Sequence, residues 1–180
     1  MNSEQKTMDI CIISGYFNPI HPGHISMIQD IKAKYPKSSL IVIVNNDYQV
    51  SLKDSVPFLD EYTRCGIVQY IKGVDRVFLS IDKTKTIAQS LTSLINDPIY
   101  QGHTIRFCNG GDRKTDSSEL EEIRVCQNYK VAVEYGYGDN KRHSSSIILE
   151  KAYQWMNNRK YWRGFMNDIL YELNIPNDPE

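Results

Sequence analysis

A doubly wound, parallel β-sheet with helices on both faces is the fold class this sequence predicts. Three observations carry that expectation. Short apolar, β-branched runs recur along the chain, segments with helical spacing fall between them, and glycines, imidazoles and hydroxyl clusters gather just after the runs. Runs of this length suit strands buried on both faces, and parallel neighbours need a crossover that covers a face of the sheet.

The first run is DICIIS, residues 9 to 14. After a loop, Met27, Ile31 and Tyr35 repeat at intervals of four with Ile28 beside them, and Pro36 stops that helix. LIVIVN, 40 to 45, is the second strand, followed by a loop from Asn46 to Leu59. Cys65, Val68 and Ile71 mark the next helix, with Gly73 placed as its C′ residue. RVFLSI, 76 to 81, precedes a weaker helix from Thr84 to Ile95. TIRFCN, 104 to 109, precedes a helix from Ser117 to Cys126, capped by Ser117 or Ser118, and KVAVEY, 130 to 135, is the fifth strand. The alternation reads as right-handed βαβ units in a Rossmann-like, five-stranded parallel α/β sheet, where ligands sit beyond the carboxyl ends of the strands.

Beyond Ser144, residues Ile148, Ala152, Trp155 and Met156 form one helical stripe, continued by Trp162, Phe165, Met166, Ile169, Leu170 and Leu173. Residues 1–150 are expected to form the ligand-binding domain and 151–180 a C-terminal helical extension packed on it. The aromatic and Met side chains of that extension make it the candidate contact of a homodimer.

Composition narrows the function. The 180 residues, 41% of them hydrophobic, suffice for one compact domain that needs no staples. Lys plus Arg number 21 against 22 Asp plus Glu, a formal charge of -1. That balance argues against a nucleic-acid partner bound through a broad basic field and leaves anionic small molecules. No apolar run approaches the roughly 18 residues of a membrane span, and MNSEQKTM lacks the features of a signal peptide, so a cytoplasmic location without membrane contact is expected. Cys11, Cys65, Cys108 and Cys126 lie far apart and are read as reduced core residues.

The strongest local signal is Ser14-Gly15-Tyr16-Phe17-Asn18-Pro19-Ile20-His21-Pro22-Gly23-His24, at the junction of the first strand and first helix. Gly15 lets the backbone turn sharply or approach a ligand, and Gly23 lets the helix start press on the sheet or on a phosphate. His21 and His24, three apart, fall on one side of the nascent helix, near its free amides and the positive end of its dipole. From spacing alone three readings stay open: a phosphate site, a structural pair, and a metal site that falls short of the usual three or four ligands. P-loop and dinucleotide glycine patterns are absent from the chain.

The stretch Tyr16 to His24 resembles the G-x-F-[DN]-x-x-H-x-G-H signature of the cytidylyltransferase-like nucleotidyltransferase superfamily. Val44-Asn45-Asn46-Asp47, then Leu52-Lys53 and Arg64, are similar to the V-N-x-D, L-K and E-R elements of its polyol-phosphate and sugar-phosphate branch, which holds glycerol-3-phosphate cytidylyltransferase and heptose-phosphate adenylyltransferase. Val74-Asp75 matches its step into the third strand, and Asn109-Gly110-Gly111-Asp112-Arg113 resembles its G-G-D motif. The likeness covers most of the first 150 residues. It departs at Asn18, where the branch mostly has Asp and where Asn18-Pro19-Ile20-His21 reads more like nicotinate-mononucleotide adenylyltransferases. Thr63 stands where Glu is usual, Ser144-Ser145-Ser146 replaces an S-T-T or S-S-T run, and Asp97 to His103 reads as an insertion.

The resemblance implies attack by an acceptor phosphate oxygen on the α-phosphorus of a nucleoside triphosphate, with pyrophosphate released and no covalent nucleophile on the protein. On it, His21 and His24 are catalytic, binding the α and β phosphates, and Lys53 is a catalytic partner of the α or acceptor phosphate. Gly15, Tyr16, Phe17, Asn18 and Gly23 shape the nucleotide pocket, and Gly110, Gly111, Asp112, Arg113, Ser144, Ser145 and Ser146 complete it. Mg²⁺ arrives with the triphosphate, held by phosphate oxygens and water and not by a protein cage, with Asp47 at most an indirect contact. The expected reaction transfers CMP, slightly favoured over AMP, to a small polyol or sugar phosphate. The alternatives are a nicotinate- or nicotinamide-mononucleotide adenylyltransferase and a non-catalytic nucleotide-binding domain of the same fold.

Overall fold

The computed structural model describes residues 7–110, 119–138 and 145–157. Strands β1 (Asp9–Gly15), β2 (Ser39–Val44), β3 (Arg76–Leu79), β4 (Thr104–Gly110) and β5 (Ala132–Tyr137) form one parallel sheet in the order β3-β2-β1-β4-β5. Helices α1 (Pro22–Lys34), α2 (Asp47–Ser51), α3 (Glu61–Gln69), α4 (Ala88–Ile95) and α5 (Glu119–Asn128) alternate with the strands, and α6 (Ser145–Asn157) follows. The chain runs outward from β1 to β3 and then returns to place β4 on the other side of β1. Strand order therefore reverses between β1 and β4, the position at which a doubly wound sheet opens a crevice. The α/β class read from the sequence is the class observed.

Alternation along each strand sorts side chains onto two faces. Ile10, Ile12, Ile41, Ile43 and Phe107 pack with Ile87, Leu91 and Leu94 at α4 and with Cys126 of α5. Cys11, Ile13, Leu40, Val42, Val44 and Cys108 pack with Ile28 and Ile31 of α1 and Val68 of α3. Burial on both faces explains why the first two strands read as unbroken apolar runs rather than as alternating ones. Cys11, Cys108 and Cys126 are buried thiols, and Cys65 is half-buried.

Several boundaries differ from the sequence reading, each for a local reason. The stretch from Asn46 to Leu59 contains α2, capped by Asn46, whose side chain accepts from the Gln49 amide at 2.9 Å while Gln49 Oε1 accepts from the Asn46 amide at 3.1 Å. So short a helix carries no apolar period to read. α4 begins at Ala88 instead of Thr84, and β3 stops at Leu79, because the connecting loop is pinned elsewhere. Asn46 Nδ2 donates to the carbonyls of Ser80 (2.9 Å) and Asp82 (2.8 Å), and Gln49 Nε2 to those of Thr84 (2.9 Å) and Thr86 (2.7 Å).

Further along, β5 starts at Ala132 because Lys130 adopts a φ of 57° that no strand accommodates. Gly73 is not the C′ residue of α3, which ends at Gln69; with a φ of 100° it turns the chain toward β3, where a Cβ would meet Lys32 Cγ at 3.2 Å. The Asp97 to His103 insertion folds into a 3-10 turn, Pro98–Tyr100, and the hydroxyl of buried Tyr100 accepts from Arg76 at 2.6 Å.

The chain divides into two compact units, Met1–His143 and Ser144–Glu180, slightly ahead of the 150/151 boundary read from the sequence. The first holds the sheet with α1 to α5, and the second holds α6. Among the described residues no helix is long and apolar enough to cross a membrane.

Candidate active site

β1 ends at Gly15, and residues 16–21 lead into α1. Phe17, at a φ of 49°, folds its ring back over the strand end, so that a Cβ on Gly15 would lie 3.0 Å from Phe17 Cε2. The missing side chain of Gly15 thus makes room for the Phe17 ring. The buried Phe17 ring in turn lies 4.5 Å, centroid to centroid, from the ring of His24.

His21 is the N-cap of α1 and His24 its N3 residue, and their rings lie 3.8 Å apart with 35° between planes. The His21 amide donates to His24 Nδ1 at 3.2 Å, and the His24 amide donates to the His21 carbonyl at 2.9 Å. An imidazole here takes the place that Glu or Gln holds in a capping box. Burial first, and the adjacent His21 second, lower the His24 pKa from 6.5 to about 3. Since Nδ1 accepts, the ring proton of the neutral imidazole sits on Nε2, leaving His24 an uncharged donor at physiological pH.

That environment has a consequence for stability. Because the folded-state value lies below the ordinary one, the unfolded chain takes up the proton first as pH falls. The contribution is intact above about pH 6.5 and declines as pH falls toward about 3. Denaturant midpoints measured at about pH 7 and about pH 5 should therefore differ less in His24→Gln than in the parent. Equal differences in the two proteins would refute the assignment.

Two loops meet at Tyr16. Lys53, exposed in the turn after α2, places Nζ 4.1 Å from the centroid of the Tyr16 ring. Asn18, buried, directs its amide toward the neighbouring loop: Nδ2 donates to Val56 O at 2.9 Å, and Oδ1 accepts from the Phe58 amide at 2.6 Å. Gly23 lies in the first turn of α1, and its carbonyl is approached so closely by the chain at Gly138 that a Cβ there would be 3.3 Å away. Gly110 closes β4, across the switch point from β1. Gly111, Asp112, Arg113 and Ser144 lie outside the described residues, as do Ser117 and Ser118, and Ser145 and Ser146 open α6 in the second unit.

Arg64 organises this end of the molecule to an extent the sequence reading missed. Its side chain is 1% exposed, and NH1 donates to Tyr16 O (2.6 Å) and Asn45 O (2.7 Å), Nε to Leu59 O (3.1 Å), and NH2 to Asp47 Oδ1 (2.6 Å). Asp47 Oδ2 accepts from the Glu61 amide at 3.2 Å, so both oxygens of this carboxylate have partners within the protein. The available signal was positional: Arg64 precedes buried Val68 by four residues, on the same face of α3. A second unforeseen anchor is Asp82, fully buried, which accepts from the Gln89 amide at 2.8 Å and from both the amide (3.0 Å) and hydroxyl of Ser90, capping α4 from its preceding loop. Among the described residues no three His, Cys, Asp or Glu side chains group to hold a metal ion.

A parallel sheet whose first crossover helix begins with two contiguous imidazoles, at the strand-order reversal, defines an α/β protein of the nucleotide-binding class. The chain belongs to the cytidylyltransferase-like family, whose model matches residues 12–151, and is a nucleotidyltransferase of that superfamily. It is 27% identical over 150 residues to an FAD synthase of Thermoplasma acidophilum, covering 81% of this chain and 95% of that protein. An FAD synthase of Korarchaeum cryptofilum is 39% identical over 141 residues, covering 76% and 87%. A probable nicotinate-nucleotide adenylyltransferase of Helicobacter pylori is 30% identical over 116 residues, covering 62% and 65%. Among solved structures, a lipopolysaccharide core biosynthesis protein of Thermoplasma volcanium shares the fold, with a TM-score of 0.56 at 22% identity, covering 74% of this chain and 99% of that one.

Proposed function

We propose that the protein transfers AMP, in preference to CMP, from a nucleoside triphosphate to the phosphate of a small acceptor and releases pyrophosphate. The contiguous His21 and His24 rings at the N-terminus of α1 carry this reading. In such a transfer an acceptor phosphate oxygen bonds to the α-phosphorus as the bond to the β-phosphate bridge breaks, and charge grows on the equatorial and leaving oxygens. A neutral His24 with its proton on Nε2, the His21 ring 3.8 Å from it and the Lys53 ammonium are donors for those oxygens. A Mg²⁺ ion carried in with the triphosphate would offset charge on the leaving group. A non-catalytic sensor of the same fold has no need of groups that favour the transition state over the substrate.

The donor preference departs from the slight lean to CTP in the sequence reading, because relatives named FAD synthase and nicotinate-nucleotide adenylyltransferase both point to an adenylyl donor. FAD is AMP joined to FMN, which makes FMN the first acceptor to test. Leu52-Lys53 and Gly110-Gly111-Asp112 favour a polyol or sugar phosphate as the second. Pyrophosphate release should be measured with ATP and CTP against FMN, nicotinate mononucleotide and glycerol 3-phosphate. Release is expected from ATP with FMN. Release only from CTP with glycerol phosphate would reverse both preferences, and none from any pair would remove the catalytic reading.

A further inference from the structure

The loop before α3 runs against the usual sorting of side chains. Val56 is 76% exposed, Phe58 58% and Leu59 40%, with Tyr62 at 73% in the first turn of α3. Scattered apolar residues on a loosely held loop would need no explanation. Here the backbone beneath them is clamped by two buried polar side chains. Asn18 grips Val56 O and the Phe58 amide, and Arg64 grips Leu59 O while its NH1 holds Tyr16 O. Both clamps tie the apolar tip to residues 16–18, immediately ahead of His21. Lys53, three residues before Val56, lies over the Tyr16 ring at the same junction. Cation and apolar tip therefore follow one another along a single segment tied to residues 16–18, the lead-in to the imidazole pair.

We propose that Val56 and Phe58 form a preorganised ledge for a flat, apolar ring system carried by the acceptor, whose phosphate Lys53 directs toward His21 and His24; this rests on the nucleotidyl-transfer reading and adds to it the residues that receive the acceptor's ring. A ring of isoalloxazine size covers such a ledge, whereas a polyol or sugar phosphate offers no apolar face and a nicotinate ring is small and charged. Clamping the backbone in advance removes ordering cost from the binding step, which is the physical use of a tethered tip whose apolar side chains stand largely exposed in the free protein.

The test uses the full chain and the double variant Val56→Ser, Phe58→Ser, with Phe58→Trp as a control that keeps an aromatic face. The double variant should raise the KM for FMN by roughly tenfold or more and leave kcat and the KM for ATP within about twofold, the pattern of lost ground-state binding. Phe58→Trp should retain parental values. Quenching of FMN fluorescence, with a non-hydrolysable ATP analogue present, reads the same loss without turnover. An unchanged FMN KM, or equal losses for FMN and ATP, overturns the ledge. So does a parental dimer that the double variant converts to monomer with FMN binding intact, since the tip then covers a second copy. Turnover of ring-free phosphates alone defeats the ledge and leaves nucleotidyl transfer standing. FMN binding that the variant weakens, without pyrophosphate release from any pair, does the reverse.

Discussion

Replacing His21 with alanine is expected to lower kcat by about 10²- to 10³-fold while the KM for the triphosphate changes only a few-fold. On the proposed transfer the imidazole would meet charge that develops at the phosphates: it sits at the N-cap of α1, 3.8 Å from a second ring that is itself held neutral. His21 adds to burial in disfavouring a proton on His24, and a polyphosphate would supply counter-charge to the pair. His21→Asn, which retains an N–H donor but not the ring, should recover part of the rate. A His21→Ala enzyme with parental kcat and a raised KM would show that the ring binds substrate and transition state alike, and the catalytic role would be lost.

The second large effect is expected at Arg64. Arg64→Leu should destabilise the fold by about 3 kcal/mol or more, measured as a shift in urea midpoint at constant slope. Asp47 is 33% exposed, so solvent screens much of the lost ion pair. Most of the effect comes instead from the carbonyls of Tyr16, Asn45 and Leu59, which lose their donor. Arg64→Lys keeps the charge but cannot reproduce a fork that reaches four acceptors, and it should fall between parent and Arg64→Leu. Activity should fall with it, because the guanidinium sets the position of Tyr16 under Lys53. A parental midpoint in Arg64→Leu would show that these bonds contribute nothing net.

The sheet was legible because burial on two faces writes itself into composition: residues 40 to 44 are apolar without interruption, and all five are fully buried. The histidine pair was legible for a different reason, since a spacing of three at a helix start places both rings on one side whatever surrounds them. Arg64, Asn46, Gln49 and Asp82 were not. Each is a polar residue in a position where surface exposure is the ordinary outcome, and each is buried because acceptors or donors it serves come from segments up to 48 residues away, or from a helix end whose start the connecting loop disguised. Asn18 was read for the right loop but not for its partners, which sit 38 and 40 residues downstream.

Local periodicity and burial demand, both properties of consecutive residues, were enough to determine the strand and helix alternation, the all-parallel sheet and the junction at which the two imidazoles meet. Pairing across the chain decided the rest. The neutrality of His24, the fixing of Lys53's neighbourhood through Arg64, and the rigid exposure of Val56 and Phe58 all depend on which polar group of one loop meets which carbonyl or amide of another. Such meetings are set by the packed order of the strands, and no spacing along a single segment encodes them.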